Sequence, residues 1–180
     1  MAFRILTIAI FIVAVFPSAL PAAEQKPFVS AGVGFIEDVE LYTFEVGAEV
    51  APNVNWSLGY STTFNNPDSS TFASVYPTTI ESWGLHTALG YEFTLNENLA
   101  ITPRVGLTYN AITMQQTDPE TGEAIYEGDR DEFSPTLGIK VDIGRVGLIS
   151  EFYKVDLEHP EFSDNNYEDT AVRIMAAYNF

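Results

Sequence analysis

The sequence predicts an all-β fold, an eight-stranded antiparallel up-and-down transmembrane β-barrel. Three observations predict this fold. Segments of about ten residues alternate apolar and polar side chains, short connections alternate with long ones, and the last residue is aromatic. In the last segment, 171–180, one face of a strand carries Val172, Ile174, Ala176, Tyr178 and Phe180. A strand with one apolar and one polar face, finished by aromatics, is typical of a barrel with lipid outside and a polar lumen inside.

The N-terminal residues predict a secretory signal peptide. Arg4 is followed by an apolar run at 5–16, and small residues then precede Glu24. The run is too short to cross a bilayer as a helix, although a short membrane anchor is the alternative. We expect cleavage after Ala22 or Ala23, so that residues 1–23 are the signal peptide and residues 24–180 form one barrel domain.

The charge and the cysteine content exclude several classes of function. The chain has 8 basic and 25 acidic residues, and removal of Arg4 with the signal peptide leaves 7 against 25, a net charge of −18. Such a surface repels nucleic acid. The absence of cysteine excludes disulfides and thiolate metal sites. Because no later segment has the apolar length of a membrane helix, a chain that spans a membrane must do so as a barrel.

The alternation and the turn residues place the strands and set the direction of the chain. Strands are predicted at 28–36, 41–51, 55–64, 81–93, 99–114, 132–143, 146–157 and 171–180. Short turns fall at 52–54, 94–98 and 143–145, and long connections at 65–80, 115–131 and 157–169, while the connection at 37–40 is short. Short periplasmic turns and long external loops are the outer-membrane arrangement, with both termini in the periplasm.

This register also puts aromatic residues at both ends of the outward face. Those near the external ends are Phe35, Tyr42, Phe44, Phe64, Trp83, Tyr109 and Phe133, and those near the periplasmic ends are Trp56, Tyr91, Phe93, Tyr178 and Phe180. Two aromatic belts around an aliphatic band are expected where a barrel crosses lipid headgroups. The competing fold is a soluble lipocalin-like barrel, which would turn the apolar set inward.

Two segments resemble a known family. Residues 101–109 look like a mid-barrel strand, and Ala177-Tyr178-Asn179-Phe180 looks like the C-terminus, of the small OmpA-type, opacity-like outer-membrane β-barrels, a porin-like family. The resemblance implies a location in the bacterial outer membrane, in contact with its lipids and lipopolysaccharide. It also implies that Tyr178 and Phe180 form the signal read by the barrel-assembly machinery. Family members range from adhesins to structural tethers.

The inward face carries acids and bases together. We expect these to form an ion-pair network inside the barrel, because an eight-stranded lumen is only wide enough for its own side chains and buried charges must be paired. Glu151 and Arg173, on adjacent strands at similar heights, are the expected direct pair. The predicted network consists of Glu45, Glu49, Glu92, Arg104, Lys140, Asp142, Glu151 and Arg173, with His86 on the same face.

The sequence assigns no catalytic, metal or cofactor residue. An active site inside the lumen would leave little room for a substrate. The histidines His86 and His159 do not stand in a His-x-Ser arrangement. The acids at 118–123 lack the spacing of an EF-hand loop, which weakens the case for a metal.

Two predicted external segments, 118–132 and 156–169, are strongly acidic. They could bind divalent cations or a basic partner, or they could form a solvated, mutually repelling surface. The expected function is a non-enzymatic structural or surface-interaction role, adhesin-like, in which a host or cell-surface partner meets the acidic loops. A small-solute pore is the first alternative, and an outer-membrane lipid A-modifying hydrolase is the second.

Overall fold

The computed structural model describes residues 26–36, 39–63, 78–156 and 168–180. The predicted signal peptide lies outside these residues, as do Phe64, His159 and most of the connections at 65–80 and 157–169. Within the described ranges the secondary structure is all strand, and no helix there is long and apolar enough to cross a membrane.

The described chain contains nine strand segments. They are β1 Pro27–Ile36, β2 Val39–Ala51, β3 Val54–Thr63, β4 Thr78–Tyr91, β5 Phe93–Asn96, β6 Leu99–Thr117, β7 Ala124–Ile143, β8 Val146–Asp156 and β9 Glu168–Asn179. Both β4 and β5 pair with β6, so they are two parts of one barrel strand that is interrupted at Glu92. The amide of Glu92 instead donates to the Asn53 carbonyl at 2.7 Å, in the turn between β2 and β3. The barrel therefore has eight strands.

The sheet closes on itself. Each barrel strand pairs antiparallel with its neighbour in the chain, and β1 pairs with β9 from Phe28↔Asn179 to Phe35↔Val172. The Phe180 amide extends this seam by donating to the Pro27 carbonyl at 3.0 Å. We call the end with the turns at 52–53, 97–98 and 144–145 the turn end, and the opposite end the loop end. The predicted fold class is confirmed.

Burial is inverted relative to a soluble protein. Large apolar side chains point outward and are exposed, with Leu89 at 51% and Leu137 at 62%. Charged side chains point inward and are buried, with Glu45 and Arg173 both at 0%. Soluble proteins almost never bury these residue types in preference to leucine, so this arrangement excludes the lipocalin-like alternative.

Aromatic side chains contact one another at both ends of the outer surface. Near the loop end, the ring of Tyr109 lies 5.5 Å from Trp83 and 4.9 Å from Phe133. At the turn end, the rings of Tyr91 and Phe93 are 5.0 Å apart, and those of Tyr178 and Phe180 are 5.3 Å apart. These contacts agree with the predicted belts.

The predicted long loop at 115–131 is wrong. β6 and β7 stay paired from Leu99↔Ile143 to Thr117↔Ala124, so the connection is only 118–123. The β7 residues at 127–131 are mostly charged, and the Thr113 hydroxyl donates to Asp129 at 2.7 Å. This part of the hairpin therefore lacks the regular apolar alternation that indicates a membrane strand. Similarly, the predicted turn at 94–98 shortens to 97–98.

Candidate functional site

The middle of the lumen is crossed by a chain of charged side chains. We call Glu45, His86, Arg104, Glu151 and Arg173 the central cluster; they come from β2, β4, β6, β8 and β9. Arg104 is its hub, because Nη2 lies 2.7 Å from Glu45 Oε2 and 3.1 Å from Glu151 Oε1. The same nitrogen lies 2.8 Å from Ser57 Oγ.

Arg173 forms the second half of the cluster. Its Nη2 lies 3.0 Å from Glu151 Oε2 and donates to Thr108 Oγ1 at 2.8 Å, while the guanidinium stacks 4.6 Å from the centre of the Tyr153 ring. Glu151 and Arg173 are direct register partners on β8 and β9, so the structure places this predicted pair in contact. Glu151 thus joins both arginines.

His86 extends the cluster but does not turn it into a metal centre. Its Nε2 lies 3.4 Å from Glu45 Oε2, and Glu45, His86 and Glu151 place ligand atoms within 4.8 Å of one another. Both carboxylates are already paired with an arginine, so the two acids and two bases balance. A divalent ion would add uncompensated charge in a buried site. The residues present therefore fit a resident metal poorly.

Glycines make room for these long side chains. Every member of the central cluster has a glycine as a register partner on a neighbouring strand: Gly59 for Glu45 and His86, Gly138 for Arg104 and Glu151, and Gly34 for Arg173. A Cβ at Gly138 would lie 2.6 Å from Glu151 Cγ, and one at Gly59 would clash with the His86 ring. Small and large inward residues therefore alternate to fill the narrow lumen.

A second polar group lies near the turn end. Lys140 Nζ lies 2.7 Å from Asn179 Oδ1 and 3.1 Å from Asp142 Oδ1, and Asn179 Nδ2 donates to the same carboxylate oxygen at 2.8 Å. The ammonium also lies 4.3 Å from the centre of the Phe28 ring. We call Lys140, Asp142 and Asn179 the mouth group. It borders a cavity of about 230 Å³.

The eight residues predicted as one network are thus divided. Glu45, Arg104, Glu151 and Arg173 meet in the central cluster, while Lys140 and Asp142 belong to the mouth group. Glu49 accepts from the Asn53 amide at 2.8 Å in the turn, and Glu92 lines the mouth cavity. The predicted network did not include His86, although the alternation had placed it on the same inward face.

Toward the loop end from the central cluster, six buried apolar side chains pack together, while the inward residues Ser82 and Asn110 at similar heights are polar. We call these six the apolar layer; its residues are Ile36, Leu41, Ile112, Tyr153, Val155 and Ala171, all 5% exposed or less. No such layer was predicted from the sequence. The signal was available in Ile36, Leu41 and Ile112, because they hold inward positions that are polar elsewhere along the strands.

The polar side chains around the central cluster are bonded to one another. The hydroxyls of Ser57 and Thr108 that could resemble nucleophiles are hydrogen bonded to the two arginines and are buried. His86 is buried beside a carboxylate, and its side chain is 1% exposed. General base catalysis needs a histidine within reach of a substrate, and this position offers no such access.

A closed barrel with an apolar outer surface and a filled, charged lumen defines the class of outer-membrane β-barrels. Residues 7–180 match the family described as the outer membrane protein beta-barrel domain, and the chain belongs to that family. It is an outer-membrane protein. No curated protein matches the sequence.

Solved structures share the architecture at low sequence identity. A major outer membrane protein from Thermus thermophilus has 18% identity and a TM-score of 0.64, over 88% of this chain and 100% of that one. Ail, the attachment invasion locus protein of Yersinia pestis, solved with the heparin analogue sucrose octasulfate, has 10% identity and a TM-score of 0.48, over 87% and 97%. The outer membrane enzyme PagL has 14% identity and a TM-score of 0.46, over 84% and 98%. At these identities the likeness extends to the fold alone.

Proposed function

We propose that the protein is a non-enzymatic, non-conducting barrel that holds an acidic surface outside the outer membrane. The observation that carries the proposal is the blocked lumen. The central cluster joins side chains from five barrel strands, and all five members are 5% exposed or less. An eight-stranded barrel is only wide enough for its own side chains, so a lumen filled in this way leaves no room for a solute to pass.

The charge of the β6–β7 hairpin supports a basic partner at the cell surface. Its exposed acids are Glu120, Glu123, Glu127, Asp129 and Asp131. Arg130 is the single base between 118 and 132. A surface of one sign steers and binds a partner of the opposite sign, so the expected partner is a positively charged host or cell-surface protein.

The orientation follows from the turns. We place the turn end in the periplasm and the hairpin tip at 118–123 outside, as short turns and longer external connections require. The exposed apolar belt then contacts membrane lipids and lipopolysaccharide, and Tyr178 and Phe180 serve as the assembly signal. An epitope inserted after Gly122 should be detected on intact cells. Detection only after permeabilisation would show that the hairpin tip lies in the periplasm and that the proposed orientation is wrong.

Two measurements test the function itself. In planar bilayers the wild-type protein should show no steady conductance, and a stable open level would favour the pore. A variant with Glu123→Gln, Glu127→Gln, Asp129→Asn and Asp131→Asn should reduce the binding of cells to a basic protein surface. The matched control is Glu49→Gln with Glu97→Gln at the turn end, which should leave binding unchanged. Equal binding by the wild type and the hairpin variant would contradict the proposed role of the acidic hairpin in binding a basic partner.

No specific observation favours the lipid A hydrolase. The described histidine, His86, is enclosed by the central cluster rather than placed at an accessible rim. Incubation with lipid A should leave its acyl chains intact.

A further inference from the structure

The two sides of the central cluster differ in their access to water. On the turn-end side, the mouth cavity of about 230 Å³ shares Phe28, Asn55 and Lys140 with a smaller cavity of about 10 Å³. The smaller cavity is lined by Arg104 and Thr102 and has room for about one water molecule. Arg104 Nη1 and Thr102 Oγ1 are buried beside this cavity without a protein hydrogen-bond partner, as is the Tyr153 hydroxyl on the other side of the cluster. Polar groups of this kind are the usual partners of buried water.

On the loop-end side, the apolar layer draws on β1, β2, β6, β8 and β9, while the register partner of Ile112 on β4, Ser82, is polar. Ile112 lies on β6 and packs in one cluster with Ile36 of β1 and Leu41 of β2. In the barrel, β2, β3 and β4 separate β6 from β1 on one side, and β7, β8 and β9 separate them on the other. The layer therefore joins opposite walls.

A second buried apolar cluster does not cross the lumen. Phe28, Ile149, Met175 and Ala177 come from β1, β8 and β9, which are adjacent strands. The two cavities and the mouth group lie beside this cluster, since Phe28 borders all of them. This cluster therefore covers one wall of the lumen.

We propose that the apolar layer is the permeation barrier of the barrel. The lumen on its turn-end side, including Arg104, is then a blind vestibule hydrated from the periplasm. A charged constriction can be solvated, whereas an apolar constriction excludes water and with it ions. Breaking an ion pair of the central cluster leaves a charge that draws in water, but the added water still ends at the apolar layer. This inference rests on the proposed non-conducting function and names the residues responsible for it.

Conductance of matched variants tests the barrier. Ile112→Thr with Val155→Thr makes the apolar layer polar with strand-compatible side chains, and should produce a steady conductance at least tenfold above the wild-type leak. Ile149→Thr with Met175→Thr makes the same kind of change in the one-wall cluster and should stay closed. Arg104→Ala should also stay closed. Heat-modifiable gel migration shows that each variant has folded.

The outcomes separate this inference from the proposed function. Steady conductance in the wild type would remove the proposed function. If the wild type and Ile112→Thr/Val155→Thr show no conductance while Arg104→Ala conducts, the apolar layer is not the barrier. The proposed non-conducting function would still hold in that case.

Cysteine reporters give a second test that does not require an open variant. The protein has no native cysteine, so single replacements are unambiguous. A small charged thiol reagent on the turn-end side should modify Asn55→Cys, at the cavities, at least tenfold faster than Leu41→Cys, in the apolar layer. Equal rates at the two positions would contradict a dry layer.

Discussion

The central cluster and the mouth group contain the same kinds of residue in very different settings. The central cluster joins five barrel strands across the lumen, and Glu45, Glu151 and Arg173 are no more than 1% exposed. The mouth group takes both its ionised residues, Lys140 and Asp142, from β7 and borders a cavity. When a partner is removed, water can replace it at the mouth more readily than in the centre. The energetic value of an ion pair in this barrel is therefore set by its distance from water rather than by its contact distance.

The largest effect is expected in the centre. Arg173→Ala should lower the free energy of unfolding by about 3–5 kcal/mol, because the substitution leaves the buried Glu151 carboxyl with one partner fewer. Reversible urea unfolding in lipid vesicles measures this. The double variant with Glu151→Ala should cost less than the two single variants added together, since they share one interaction. Strict additivity would show that the pair is not coupled.

Packing around the central cluster should give the next largest effect. Gly138→Ala places a Cβ 2.6 Å from Glu151 Cγ and 2.7 Å from the Ser150 carbonyl oxygen, and the backbone oxygen cannot move aside freely. Overpacking of this kind costs about 1–3 kcal/mol. The same unfolding experiment applies, and an unchanged midpoint would mean that the lumen has spare volume at this height.

The mouth group should be more tolerant. Lys140→Met keeps an unbranched chain beside Phe28 and removes the ammonium from Asp142 and Asn179. Asp142 retains the bond from Asn179 Nδ2 and gains access to water from the cavity. We expect a loss of about 1 kcal/mol in the free energy of unfolding. A loss equal to that of Arg173→Ala would break the distinction between the two groups.

The smallest effect is expected outside the lumen. Lys26 Nζ lies 3.9 Å from Glu49 Oε2, and the lysine side chain is 64% exposed. An exposed pair of this geometry contributes between about 0 and 1 kcal/mol, so Lys26→Ala should leave the unfolding midpoint nearly unchanged. A clear shift would show that this end of the barrel is less hydrated than its cavity indicates.

The alternation predicted the barrel strands well within the membrane and poorly beyond it. Inside the bilayer one face must be apolar and the other can be polar, so Val105 and Leu107 point out while Arg104 points in. The alternation predicted the fifth strand as far as 114, but β6 continues to Thr117, and the residues of β7 that pair with its last part carry no regular apolar alternation. The acidic residues of β7 were assigned to a loop for this reason.

The charged residues of the lumen were found from the sequence, but most of their contacts were not. Glu151 and Arg173 could be paired in advance because they lie at similar heights on strands that follow one another. Arg104 and Glu45 are 59 residues apart and lie on strands that are not neighbours, so their contact depends on the closure of the barrel. The glycine partners depend equally on the register between strands.

By itself, the sequence determined which side chains face lipid and which face the lumen, because a strand has a period of two and a bilayer accepts only apolar surface. It also determined the number of barrel strands and the acidic charge of the segment that joins β6 to β7. Only the tertiary structure decided which inward residues meet. Closing the sheet brings β6 opposite β1, and side chains from distant parts of the chain then lie at the same level in the lumen, which no local sequence pattern predicts. The same closure decided that six apolar residues, scattered from Ile36 to Ala171, become one layer across the lumen.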